Sequence, residues 1–136
     1  FREGPALIEC FKKVKNKPDV IIFDGHGISH PRGMGIATHM GILLGIPSIG
    51  CAKSPLYGKF DMPGKSRGGY TFVRDGGGEV IGACFRSKDG VKPVFVSVGN
   101  GINLIRAVDI INGCITKYRL PEPVRIADAL SKSEHL

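Results

Sequence analysis

Residues 18–30 read PDVIIFDGHGISH. Within this stretch, residues 20–23 form an apolar run too short for a helix and continuous enough for a strand buried on both faces of an α/β sheet. The run ends at Asp24, followed by Gly25, His26, Gly27 and, after two more residues, His30. Open α/β sheets bind their ligands beyond the carboxyl ends of their strands, which makes Asp24 the first catalytic candidate. The competing reading is an aspartate that caps a turn before glycine.

Upstream, residues 2–15 place Leu7, Ile8, Phe11 and Val14 at helical spacing, with lysines opposite, and Asn16-Lys17-Pro18 ends the pattern. Glu3 falls in the first turn of that helix, where an acidic side chain is favoured by the helix dipole alone. Downstream, Pro31 and Gly33 break the chain. Residues 35–44 read as a second helix, apolar at Ile36, Ala37, Met40, Leu43 and Leu44 and closed by Gly45. Gly35, Gly41 and Gly45 cost such a helix stability, so a close approach by another backbone or by a ligand is expected there; His39 reads as structural. Residues 46–51 form a second short buried strand that delivers Lys53 just past its end. Two parallel strands joined by a helix bring Lys53 and the Asp24 loop to the same edge of the sheet, against the alternative of an ordinary solvated lysine.

Residues 56–69, rich in Gly, Pro and Lys, read as an exposed and mobile loop. Three strand-like runs follow at 70–73, 80–85 and 94–98, joined by hairpin turns at Asp75-Gly76-Gly77-Gly78 and Lys88-Asp89-Gly90. No helix follows the three glycines, so they form a turn and not a phosphate loop. Residues 102–115 carry helical periodicity, and after Pro121-Glu122-Pro123 a last helix runs through Arg125, Asp128 and Leu130, its Ala127 and Ala129 small enough to let Asp128 approach the sheet. No repeat or linker interrupts residues 1–136, which are expected to form a single domain.

The composition narrows the function classes. Nineteen Lys and Arg against twelve Asp and Glu give a net charge of +7 and a pI near 9.4. That surplus favours a polyanionic partner, and it is expected on the face bearing Lys53, His30 and the 59–67 loop. Cys10, Cys51, Cys84 and Cys114 form no CxxC pair, which excludes zinc-ribbon and thioredoxin sites and suits buried free thiols. With no signal-like stretch and no apolar span of about twenty residues, a cytoplasmic monomer without membrane contact is expected.

Three carboxylates stand out by placement: Glu3 at a helix start, Asp24 at a strand end and Asp128 in a late helix. Oxygen ligands of this kind suit a hard divalent ion, and a nearby lysine suits phosphodiester hydrolysis. The segments FREGPAL, PDVIIFDGHGISHPRGMGIATHMG, IPSIGCAKSPLYG and LPEPVRIADA, in this order, resemble the endonuclease V family. The resemblance implies a ribonuclease H-like mixed sheet with helices on both faces. It implies a Mg2+-dependent enzyme, with Mn2+ as substitute, that cuts the second phosphodiester bond 3′ to deoxyinosine in DNA during repair. Matched residue by residue, the metal carboxylates fall on Glu3, Asp24 and Asp128, and the other catalytic side chains on His30 and Lys53. The base pocket falls on Gly25, Ile36, Gly50, Ala52 and Leu56, and flipping the base into it costs least at a mispaired or single-stranded site.

Two departures from the family pattern bear on these expectations. The family carries, before its FRE segment, three strands with a further metal-binding aspartate and a PYIP wedge; this chain starts after them and is expected to be N-terminally truncated. Asn100 stands where family members commonly have histidine. The alternatives are an inosine-specific ribonuclease, or an inactive nucleic-acid-binding remnant.

Overall fold

The computed structural model describes residues 4–133. Its elements are α1 (Gly4–Lys12), β1 (Ile21–Asp24), α2 (Ile36–Leu44), β2 (Ser48–Ala52), β3 (Tyr70–Arg74), β4 (Val80–Phe85), β5 (Val94–Asn100), α3 (Leu104–Gly113) and α4 (Glu122–Ser133). The strands form one mixed sheet in the order β1-β2-β5-β4-β3. β1 and β2 are parallel, as the intervening helix requires. The meander β3-β4-β5 is antiparallel and docks by β5 onto β2.

Alternation along the strands divides the core. On one face Ile49, Cys51, Ala83, Phe85, Val94 and Val96 meet Ala107, Val108 and Ile111 of α3 and Val124 of α4. On the other, Ala52, Val73, Ile81, Cys84 and Phe95 pack with Ile28 and Phe60 from loops. α2 covers the β2–β5 part of this second face, where the Ser48 hydroxyl donates to the Ala37 carbonyl at 2.7 Å. Helices thus lie on both faces, as expected.

Several local expectations are corrected. β1 is half-buried and not enclosed on both faces, because among the described residues it pairs only with β2. α1 ends at Lys12, where the Lys13 and Val14 amides turn to the carbonyls of Cys10 and Phe11 at 3.1 and 3.0 Å and tighten the last turn, and Val14 is 51% exposed outside the helix. α2 presents Ala37, Met40 and Gly41 to the sheet and turns Leu43 to solvent. In α4 the anchor is Val124, while Ala127 and Ala129 are exposed. The 56–69 loop is exposed but tied down: the buried Arg86 guanidinium donates to the carbonyls of Pro63 and Gly64 at 3.0 Å and of Val91 at 2.6 Å. The Asp75 turn forms as read, its Oδ1 accepting the amides of Gly77 and Glu79.

Candidate active site

Asp24 is the last residue of β1, and Lys53 follows the last residue of β2. Asp24 pairs with Cys51, so the parallel register sets the two side chains at one end of the sheet and on the face that α4 covers. The Lys53 ammonium lies 3.4 Å from Asp24 Oδ2 and 3.2 Å from Asp128 Oδ1, the latter delivered by α4. Asp128 also receives Lys132 Nζ at 3.1 Å. These contacts hold the Asp128 carboxyl below its usual range, through the hydrogen bond from Lys132 first and that from Lys53 second. For Lys53, partial burial works against the charged form, but hydrogen bonds and charge from Asp128 and Asp24 prevail and raise its pKa. Its backbone is fixed as well: the Arg119 guanidinium donates to the Lys53 carbonyl and to those of Lys92, at 2.8 Å, and Pro93, at 2.6 Å.

Two hollows flank this cluster and meet at Ile36. A cavity of about 610 Å³ runs along residues 21–24 of β1 past Asp24 and Asp128, its other lining residues being Leu7, Ile36, Ala127 and Ser131. A second, of about 470 Å³, is lined by His26, His30, Arg32, Ile36, His39 and Leu56. His30 Nδ1 accepts the Arg32 amide at 3.1 Å, which orients the imidazole. Burial lowers the pKa of His26, opposed by a hydrogen bond to the Ser54 backbone and reinforced by His30. Its Nδ1 is buried with no hydrogen-bond partner among the described residues.

Of the base-pocket residues, Ile36 and Leu56 line the second cavity, and Gly25 lies against Ile36. Gly50 and Ala52 sit below in β2, both buried. A Cβ on Gly50 would fall 2.7 Å from the Gly25 carbonyl oxygen, so only glycine lets the loop after β1 lie this close to β2. The same loop is stitched to β5, where the Gly27 amide donates to Ser97 Oγ at 2.8 Å. Asn100 donates to the Gly41 carbonyl at 3.3 Å and ties β5 to α2. Glu3 lies outside the described residues.

Sequence reasoning assigned no role to Arg119, Arg86, Ser97 or Arg32. The arginines lie in turns without periodicity and look there like surface cations. Ser97 sits in an apolar strand, where a lone hydroxyl is a weak signal.

Asp24 and Asp128 supply oxygen donors close enough for one cation, the Lys53 ammonium, to contact both. That donor set fits a magnesium-type ion, which takes one or two carboxylates and fills its shell with water and phosphate oxygens. Among the described residues no group of three His, Cys, Asp or Glu side chains gathers.

Comparison with known proteins adds to this geometry. The family model described as Endonuclease V matches residues 1–129. The chain is similar to the endonuclease V of Dictyoglomus turgidum, 52% identical over 132 residues, which make up 97% of this chain and 58% of the relative. It superposes on the crystal structure of endonuclease V from Streptomyces avermitilis with a TM-score of 0.94 at 39% identity, over 98% of this chain and 58% of the other. For a Ciona intestinalis endonuclease V in complex with a 23mer DNA containing an inosine followed by a ribo-adenosine, the TM-score is 0.81 at 28% identity, over 98% of this chain and 63% of that one. The chain therefore spans less than two thirds of the length of each of these relatives.

Proposed function

Because the chain belongs to the endonuclease V family, we propose that it carries the catalytic core of a metal-dependent endonuclease that cuts DNA at deoxyinosine, at the second phosphodiester bond 3′ to the lesion. The observation that carries this reading is the clasp of Lys53 by Asp24 and Asp128 at one end of the sheet, beside a hollow that shares Ile36 with a histidine-lined cavity. The inosine in the DNA bound by the Ciona relative supports the choice of substrate.

Each residue has a distinct task. Asp24, Asp128 and Glu3 would hold magnesium, or manganese in its place, which when bound polarises the phosphoryl oxygen and acidifies the attacking water. Lys53, fixed by Arg119 at its backbone and by two carboxylates at its tip, neutralises charge developing on the scissile phosphate. His30, oriented by the Arg32 amide, donates to substrate or orders the water. The flipped base enters the second cavity between Ile36 and Leu56, beside the loop after β1 that Gly25 begins and that Gly50 lets lie close on β2, with Ala52 buried in the same strand.

The test compares matched duplexes with and without deoxyinosine in magnesium, together with inosine-containing RNA, using this chain and a form extended to the length of its relatives. Inosine-dependent nicking by the extended form is expected, lost about a hundredfold or more in Asp24→Asn with binding retained. Equal cutting of plain duplexes, or full activity in Asp24→Asn, would overturn the reading. Preferential cutting of RNA would move it to the ribonuclease alternative. Binding without cutting by either length would leave a nucleic-acid-binding module.

A further inference from the structure

Beyond Lys53, the same end of the sheet carries a platform built from three loops. Cross-strand partners Tyr70, Phe85 and Val94 lie in one row, next to the Ala52–Phe95 pair, so the loops before β3, between β4 and β5, and between α3 and α4 come together there. Two arginines knit them. Arg86 holds the carbonyls of Pro63, Gly64 and Val91, which joins the first loop to the second. Arg119 holds those of Lys92, Pro93 and Lys53, which joins the third loop to the second and to the active-site lysine. Further bonds run from the Gly90 amide to the Lys65 carbonyl at 2.8 Å, from the Arg67 amide to Asp89 Oδ1 at 2.6 Å and from Lys88 Nζ to the Thr116 carbonyl at 2.6 Å.

The rim of this platform is one-signed. Lys65, Arg67, Lys92 and Lys117 are exposed and Lys88 is half-buried. Within residues 63–69, 86–93 and 114–119 the only acid is Asp89, and it already accepts the Arg67 amide. The adjoining Glu122 is occupied by Arg125 at 2.6 and 3.0 Å. The exposed large apolar side chains here are Tyr70, Val91 and Tyr118; the Tyr70 ring packs edge-on against Phe72 and the Tyr118 ring lies under Arg125, so neither ring is a free anchor. A protein partner would need apolar anchors; cations carried on three loops that hydrogen bonds hold together suit a chain of phosphates.

We propose that Lys65, Arg67, Lys88, Lys92 and Lys117 form a second contact surface for the nucleic-acid backbone, gripping a segment that flanks the phosphate at Asp24 and Lys53. This rests on the nuclease reading for the identity of the bound chain, but binding alone tests it. The measurement is the affinity for an inosine-free duplex, without divalent metal, between about 0.05 and 0.2 M salt. In a variant carrying Lys65→Gln, Arg67→Gln, Lys92→Gln and Lys117→Gln, with Arg86 and Arg119 kept, the slope of log affinity on log salt should flatten by about 0.7–0.9 for each lost phosphate contact. A control carrying Lys12→Gln, Lys13→Gln, Lys15→Gln and Lys17→Gln, at the opposite end of β1, should keep the parent slope. Should the fourfold variant melt early, the pairs Lys65→Gln/Arg67→Gln and Lys92→Gln/Lys117→Gln should each give about half the effect.

An unchanged slope in the platform variants, an equal loss in the control, or no duplex binding by the parent would overturn the proposal. Duplex binding through the platform, with no cutting at inosine by either this chain or the extended form, would remove the nuclease reading and leave the surface standing. Inosine-specific cutting with an unchanged slope in the variant would do the reverse.

Discussion

Lys53 is held at both ends, its carbonyl by Arg119 and its ammonium by two carboxylates from β1 and α4. Asp128 is depressed, by Lys132 first and Lys53 second, so its contribution to stability is present above the ordinary carboxylate pKa and is lost as pH falls through the lower folded value. Lys53→Met removes one of the two cations, and the Asp128 carboxyl should then titrate at a higher pH by carbon-detected NMR. An unmoved Asp128 would mean that Lys132 alone sets its state. The cysteines give a second check at this scale. Burial pushes the Cys51 thiol up to about 12 and that of Cys84 up to about 11, whereas Cys10 is exposed. At about pH 8 a thiol reagent should label Cys10 rapidly and reach Cys51 and Cys84 only on unfolding. Rapid labelling of Cys51 in the native protein would contradict its place beneath α3 and α4.

Among the elements, the loop after β1 is fixed by what lies under it. Gly50→Ala sets a Cβ 2.7 Å from the Gly25 carbonyl and should cost about 1–3 kcal/mol, with amide shifts concentrated at residues 24–30. Shifts spread evenly over the sheet would argue against this close packing. Arg86→Ala leaves three carbonyls without their donor and should destabilise by about 2–3 kcal/mol in urea, with faster amide exchange at residues 63–69. Composition alone suggested that this loop moves freely; the arginine that holds it is distant in sequence and follows the last residue of β4. α3 shows the same limit on a smaller scale. Its cap, Asn103 accepting from the Arg106 amide at 2.8 Å, starts the helix two residues after the point where periodicity placed it.

At the scale of the molecule, ligand binding and folding are linked. Manganese should raise the melting temperature of the parent increasingly with its concentration, the gain in stability reaching about 2.7 kcal/mol at a hundredfold excess over its Kd. The rise should vanish in the Asp24→Asn/Asp128→Asn variant, and a rise that survives it would place the ion elsewhere. The elements, the parallel β1-α2-β2 unit and the strand-end positions of Asp24 and Lys53 could be read directly from the sequence, because they follow from local periodicity and from the one hand a crossover connection takes. The endonuclease V resemblance was legible there too, carried by four long segments. The tertiary structure alone placed β5 between β2 and β4, brought Asp128 across 75 residues to Lys53, and buried Arg86 and Arg119 among backbone carbonyls. The reason is physical: periodicity records which face of an element avoids water, whereas which distant carbonyl or carboxylate meets a given cation depends on packing between elements.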